Sequence, residues 1–70
     1  MQYLGAVKTL NEAKTEAEKI TKKENRIVVI EKAKCKSPDG KYHVCYRAWM
    51  DRTMKKKEVI TWDEWKRRKK

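Results

Sequence analysis

The 70-residue chain has little of what most catalytic sites require. It contains two glycines and one histidine, so a glycine-rich phosphate-binding loop is excluded and any nucleophile has a single histidine to pair with. Ser37 is the only serine and belongs to a turn motif. The carboxylates do not converge, because Glu12 and Glu16 belong to a helix surface while Asp63 and Glu64 stand at a helix start. We therefore expect no catalytic residues and no enzymatic activity.

Long apolar runs are missing as well. No segment approaches the ~20 apolar residues that a membrane-spanning helix needs, and residues 1–10 lack the basic start and long apolar stretch of a secretory signal. We predict a protein that does not associate with membranes and is located in the cytoplasm. In that compartment its two cysteines would normally stay reduced.

Positive charge is what the chain has in excess. Twenty Lys and Arg against ten Asp and Glu give a net charge of +10. Residues 1–25 carry five cations and four anions, which is +1, whereas residues 26–70 carry fifteen and six, which is +9. Charge of this sign attracts phosphate backbones or acidic protein surfaces and excludes an acidic mimic of DNA.

A chain of this length supports one domain, because it buries only about 60% of the surface that its unfolded form exposes. Apolar residues end at Trp65, and five cations follow it. We predict a single small domain over residues 1–65 and a basic C-terminal tail over residues 66–70.

Two helix starts share one motif. Thr9-Leu-Asn-Glu12 and Thr61-Trp-Asp-Glu64 both have the S/T-x-x-E spacing of a capping box. After the first, apolar residues recur at three- and four-residue steps, which predicts a helix that ends near Asn25. The residues of that apolar stripe are Leu10, Ala13, Ala17 and Ile20. Residues 2–7 either extend this helix backward or form a first strand, and Gly5 together with the Thr9 cap favours the strand.

A hairpin occupies the centre of the sequence. The β-branched residues 26–31 predict a strand running to about residue 36. Ser37-Pro-Asp-Gly40 is a turn, in which Pro fixes φ, Asp bonds the backbone and Gly accepts positive φ. Residues 41–50 form the second strand, and residues 57–61 form a third, hairpin-connected strand after a charged connection. The predicted fold is α+β: an antiparallel sheet of three strands, or four with residues 2–7, in the order (β)-α-β-β-β-α, with both helices on one face.

The order helix, three strands, helix resembles the double-stranded-RNA-binding domain, which is about this long. In that family a basic cluster at the start of the last helix holds phosphates, whereas here that start is Asp63-Glu64 and the cations come later. The sheet followed by one helix also resembles the arm-site-binding domains of phage-type integrases, whose sheet enters the major groove. Neither resemblance extends beyond architecture, since the sequence contains no motif by which functional residues of either family could be assigned to positions in this chain.

The register of the hairpin decides which side chains share a face. A four-residue loop pairs Lys36 with Lys41, and a bulged turn pairs Ser37 with Lys41. In the bulged register Cys35 lies opposite His43 and diagonal to Cys45. These three could bind zinc only with a fourth ligand, which is missing, so we expect no metal and no cofactor. Because neither register places the cysteines directly opposite, we also expect no disulfide.

Aromatic residues permit two interpretations. Trp62 and Trp65 would share one helix face, where they could stack on unpaired bases. Burial is favoured, because a chain without Phe needs its large aromatics for the core. Alternate residues of the second hairpin strand lie on one face, and these are Tyr42, Val44, Tyr46, Ala48 and Met50. If that face meets the helices, Arg47 and Trp49 on the other face would form an exposed basic-aromatic surface together with Lys32 or Lys34.

We therefore expect a small, non-enzymatic nucleic-acid-binding protein, for DNA or RNA, that contacts the phosphate backbone through Lys and Arg. The alternative is a small accessory protein of the phage or mobile-element type that binds an acidic protein partner. A continuous basic face would favour nucleic acid, and scattered charges would favour the alternative. The predicted contact residues are Lys32, Lys34, Arg47, Arg52, Lys55, Lys56, Lys57, Lys66, Arg67, Arg68, Lys69 and Lys70.

Overall fold

The computed structural model describes residues 1–68 as a four-stranded mixed sheet with two helices. The order of elements is the predicted β-α-β-β-β-α. The elements are β1 (Gln2–Val7), α1 (Leu10–Glu24), β2 (Ile27–Lys36), β3 (Tyr42–Asp51), β4 (Glu58–Thr61) and α2 (Trp62–Arg68).

In each predicted capping box one hydrogen bond is confirmed, the one that the threonine hydroxyl accepts from a backbone N–H of the helix. The Glu12 backbone N–H donates to Thr9 Oγ1 at 3.2 Å, and the Glu64 N–H donates to Thr61 Oγ1 at the same distance. At its other end, α1 stops at Asn25, which has the left-handed φ of 56° that Asn tolerates. The Gly5 and Thr9 signals also separate β1 from α1 as expected.

We expect Thr9→Ala to lower the free energy of unfolding by about 1 kcal/mol, because it removes the side-chain acceptor for one helix N–H. Thr15→Ala is the matched control. Thr15 lies on the exposed surface of α1 and its hydroxyl donates only to the Asn11 carbonyl, so its loss leaves no helix N–H without an acceptor. Urea unfolding followed by circular dichroism measures both. Equal stability of Thr9→Ala and the natural chain would mean that the cap does not stabilise α1.

The sheet is mixed, and the prediction of a purely antiparallel meander was wrong. Its strand order is β1-β3-β2-β4, and β4 pairs with β2 in parallel, from Ile27 with Glu58 to Ile30 with Thr61. The reason is that β1 occupies the edge of β3 that the last strand would have joined. The chain therefore crosses to the free edge of β2. Three consecutive antiparallel strands, on which the resemblance to double-stranded-RNA-binding domains depended, are not present in residues 1–68.

The two helices cover opposite faces of the sheet, which corrects the prediction of one shared face. On one face, Ala13 and Ala17 of α1 pack against Val28 and Ile30. On the other, α2 packs its tryptophans against Ile27, Val29 and Ile60. Alternation explains this arrangement, because the run Ile27–Ile30 is apolar at every position and so presents apolar side chains to both faces.

The bulged hairpin register is confirmed. The Ser37 N–H donates to the Lys41 carbonyl at 2.8 Å, Gly40 has a φ of +86°, and Cys35 pairs with His43. The expectation that the cysteines stay apart was wrong, because diagonal partners in this register come within bonding reach. Cys35 and Cys45 form a disulfide, with Cα atoms 5.8 Å apart.

Candidate nucleic-acid interface

The end of the β2–β3 hairpin extends beyond the rest of the sheet. The last β1 pair is Val7 with Tyr46, and the last β4 pair is Thr61 with Ile30. From residue 32 to residue 45 the two strands of the hairpin therefore pair only with each other. We call this segment the arm. It carries four Lys against one Asp, a net charge of +3.

One face of the arm combines lysines with aromatic and apolar side chains. Lys32 pairs with Tyr46, Lys34 with Val44 and Lys36 with Tyr42. All six side chains lie on the sheet face that α1 covers further down, over Val28 and Ile30. We call this surface the lysine face, and its members are Lys32, Lys34, Lys36, Tyr42, Val44 and Tyr46.

The lysine face is open to a ligand. Its three lysines are exposed, as are Tyr42 at 67% and Val44 at 42%. None of the three lysines forms an ion pair with another side chain of residues 1–68. Alternate residues of a strand lie roughly 6.8 Å apart, so the lysines form a regular row of exposed cations.

Lys36 was missed in the prediction of contact residues. The signal that could have found it is the alternation of lysine at positions 32, 34 and 36 in a strand, which places all three on one face. The predicted grouping of Lys32 or Lys34 with Arg47 and Trp49 was wrong, because the alternation of the paired strands places the two lysines on the opposite face of the sheet from Arg47 and Trp49. In the observed register the two lysines share a face with Tyr46 and Val44 instead.

The opposite face of the arm holds the disulfide. Cys45 is buried, Cys35 is half-buried and His43 is exposed. Further down this face, Arg47 pairs across the strands with Glu31, whose carboxylate accepts a hydrogen bond of 3.2 Å from Trp49 Nε1. Because the two sulfurs are bonded to each other, neither is a thiolate that could bind zinc.

The tip of the arm is a hydrogen-bonded turn. Asp39 accepts from the Ser37 hydroxyl and, at 3.0 Å, from the Lys41 N–H. These bonds, the first above all, lower the pKa of Asp39 below its ordinary value. The carboxylate is thus ionised at neutral pH and holds the turn that fixes the register of the lysine face.

The cations of α2 are largely occupied by neighbouring carboxylates. Arg68 forms ion pairs with Glu58 and, at 3.1 Å, with Glu64. Arg67 approaches Glu64 at 3.9 Å, and Lys66 lies over the Trp62 ring, 5.9 Å from its centroid. The hydrogen bond from Arg68 is the main cause that lowers the pKa of Glu58, which keeps that pair formed at neutral pH. Lys69 and Lys70 lie outside the described residues.

The remaining predicted cations belong to the loop between β3 and β4. Arg52 donates to Gln2 Oε1 at 2.9 Å, Lys56 approaches Glu58 at 3.8 Å, and Lys55 and Lys57 are exposed. This loop follows the end of β3, about 24 Å along the strand from Val44 on the arm. The described members of the predicted contact set therefore do not line one continuous face.

The tryptophans pack as the burial interpretation predicted. Trp62 and Trp65 contact the buried cluster of Ile27, Val29 and Ile60, and Trp49 borders it. Ring centroids follow each other at 4.9 Å from Tyr3 to Trp49, 6.1 Å to Trp62 and 5.4 Å to Trp65. The rings are tilted against one another, with interplanar angles of 55°, 49° and 31°, and the three tryptophans pack against the sheet.

No protein-family model, no curated protein and no solved structure matches this chain significantly. Neither α1 nor α2 has the length and apolar character that a membrane-spanning helix requires.

Proposed function

We propose that the chain is a non-enzymatic nucleic-acid-binding protein whose arm contacts the phosphate backbone through Lys32, Lys34 and Lys36. The single observation that carries this proposal is the row of three exposed lysines on a projecting hairpin, none of which has an ion-pair partner among residues 1–68. Free cations release condensed counterions when they meet phosphates, which is the main source of sequence-independent affinity. Cations already paired with carboxylates, such as Arg68, gain less from the same contact.

The shape of the arm supports a double-stranded ligand. Two paired strands lie about 4.8 Å apart, and the major groove of B-form DNA, about 12 Å wide, admits a two-stranded ribbon. The deep, narrow major groove of A-form RNA does not. A single-stranded ligand would need a series of free ring faces, and Tyr42 is the only ring of the lysine face that is mostly exposed.

Conversion of the three lysines to glutamine tests the proposal. We expect Lys32→Gln, Lys34→Gln and Lys36→Gln together to weaken binding to duplex DNA at least about tenfold at low salt. The slope of log affinity against log salt should fall by about 2–3, since each lost phosphate contact removes about 0.9. Fluorescence anisotropy of labelled duplex DNA, single-stranded DNA and duplex RNA, at about 50 and 200 mM salt, measures both quantities.

The matched control removes the same charge from the exposed surface of α1, through Lys14→Gln, Lys22→Gln and Lys23→Gln. This variant should bind duplex DNA nearly as well as the natural chain. Equal losses in the two variants would mean that net charge alone drives binding. Undiminished binding by the arm variant would refute the arm as the contact.

A second candidate is an acidic protein partner, as expected for a small accessory protein. It is favoured by the scattering of the predicted cations and by the exposure of Val44 and Tyr42 among the lysines. The acidic partner would be supported if the natural chain binds nucleic acid weakly and without preference for any form. The binding should then disappear at the higher salt concentration.

A further inference from the structure

The disulfide of the arm can be reached from one side. A surface depression of 570 Å³ borders the arm, and Lys8, Cys35 and His43 are among the residues that line it. Cys35 is half-buried, whereas Cys45 is only 2% exposed. Because a thiolate attacks a disulfide at the sulfur to which it has access, Cys35 is the sulfur that a small reactant meets first.

The surroundings of that sulfur are positively charged. Lys8 and Lys36 both line the depression, and both are exposed. His43 pairs directly across the strands with Cys35, so the two side chains lie on one face. Asp39 of the turn interacts with His43 and offsets one of the two lysine charges. The remaining positive charge attracts a thiolate, and it attracts a thiol that also carries carboxylates more strongly.

We propose that Cys35 is a thiol-exchange site, at which an acidic small thiol of the glutathione class opens the disulfide and thereby loosens the arm. The thiolate forms a new S–S bond with Cys35, and the Cys35–Cys45 bond breaks. Its electron pair goes to Cys45, which takes a proton from water. A second thiolate then attacks the sulfur of the first and releases Cys35, which is protonated in turn. Two small thiols are thus oxidised to their disulfide, and the two cysteines are reduced.

Opening this bond affects the arm because little else holds it. From residue 32 to residue 45 the two strands pair only with each other among the described residues, and a two-stranded hairpin alone is marginally stable at best in water. Lys34 and Lys36 flank Cys35 in β2, so loss of strand pairing would disorder the lysine face. The effect on phosphate contacts rests on the proposed function. A loosened arm has to be ordered during binding, and this cost lowers affinity.

Lys8→Glu tests the exchange site without nucleic acid. Alkylation and mass spectrometry of the folded chain measure the rate at which glutathione opens the bond. At about 10 mM salt, where screening is weak, Lys8→Glu should slow the reaction about three- to tenfold, because two units of charge change beside Cys35. Lys14→Glu makes the same change on the exposed surface of α1 and should react at nearly the natural rate. After a rapid acid quench, peptide mapping should find the first bound glutathione on Cys35.

Three results would each overturn the exchange site. The first is a bond that glutathione opens only after the chain is unfolded in urea. The second is glutathione bound first to Cys45. The third is equal rates of opening in Lys8→Glu and Lys14→Glu.

Hydrogen exchange tests the loosening of the arm, again without nucleic acid. The backbone amides of residues 32–45 should exchange at least about tenfold faster in the reduced chain than in the oxidised chain, because local opening then costs less free energy. Unchanged protection of these amides would show that the disulfide does not control the arm.

Fluorescence anisotropy with duplex DNA then tests the control of binding. The reduced chain should bind about three- to tenfold more weakly than the oxidised chain, and the variant with Cys35→Ala and Cys45→Ala should bind like the reduced chain with or without reductant. Equal binding by the oxidised and reduced chains would refute the control. If neither form binds DNA while the bond opens at Cys35 and the arm amides respond, the proposed function fails and the exchange site stands.

Discussion

Removal of the Cys35–Cys45 disulfide is expected to lower the free energy of unfolding by about 2–3 kcal/mol. The two cysteines are ten residues apart in the sequence, and the cross-link restricts the unfolded chain by closing that loop. No other strand of the described sheet flanks the arm, so the disulfide and the backbone pairing of β2 with β3 hold it together. The melting temperature should fall by about 10–20 °C, at about 4–8 °C per kcal/mol for a domain of this size.

The comparison uses the oxidised chain, the chain in reductant, and the variant with Cys35→Ala and Cys45→Ala. Alanine at position 45 is chosen because Cys45 is 2% exposed, and a serine hydroxyl there would add a desolvation cost of its own. Reductant should destabilise the natural chain and leave the variant unchanged. If the variant and the oxidised natural chain have the same melting temperature, the cross-link contributes nothing to stability.

The disulfide also bears on the compartment. Disulfides persist mainly in oxidising compartments and are rare in the cytosol. The expected cytoplasmic location, from which reduced cysteines were inferred, stays a prediction. Mass spectrometry of the alkylated protein from its own cells would show whether Cys35 and Cys45 are bonded there.

Asp51→Ala is the second substitution with a large expected effect, a loss of about 2–4 kcal/mol. Asp51 is 7% exposed and ends β3 beneath the loop that leads to β4. Its carboxylate accepts from the Thr53 N–H at 2.9 Å, from the Thr53 hydroxyl at 2.6 Å and from Trp65 Nε1 at 3.3 Å. Alanine would remove the acceptor of all three bonds, and a donor that loses its partner away from water costs about 1–3 kcal/mol. Thr53 is exposed and Trp65 is half-buried.

Because one of these bonds comes from Trp65, Asp51→Ala should also loosen α2 from the sheet. Tryptophan emission should shift to longer wavelength before the main unfolding transition. Asp51→Asn, which keeps one acceptor oxygen, should lose less stability than Asp51→Ala. Asp63→Ala, at the exposed start of α2, should change stability by no more than about 0.5 kcal/mol. Equal stability of Asp51→Ala and Asp63→Ala would contradict the stabilising role of the Asp51 carboxylate between Thr53 and Trp65.

Local features of this protein follow from the sequence, because the interactions that form them join residues close in the chain. Thr9 and Thr61 cap their helices through an N–H three residues away. Gly40 and the Ser37–Lys41 pairing fix the bulged turn within five residues. The lysine row was also readable in principle, since a strand places every second residue on one face, although Lys36 was overlooked.

Tertiary structure decided what depends on competition between distant segments. β4 joined β2 in parallel because β1 had taken the edge of β3, a choice that neither strand encodes alone. The same competition left the arm two strands wide and gave the four-residue apolar run of β2 a helix on each face. It also decided which cations are free, since Arg68 meets Glu58 only after β4 and α2 have folded together, whereas Lys34 meets no carboxylate among residues 1–68. Composition set the charge of this chain, and long-range pairing determined where that charge stays available to a partner.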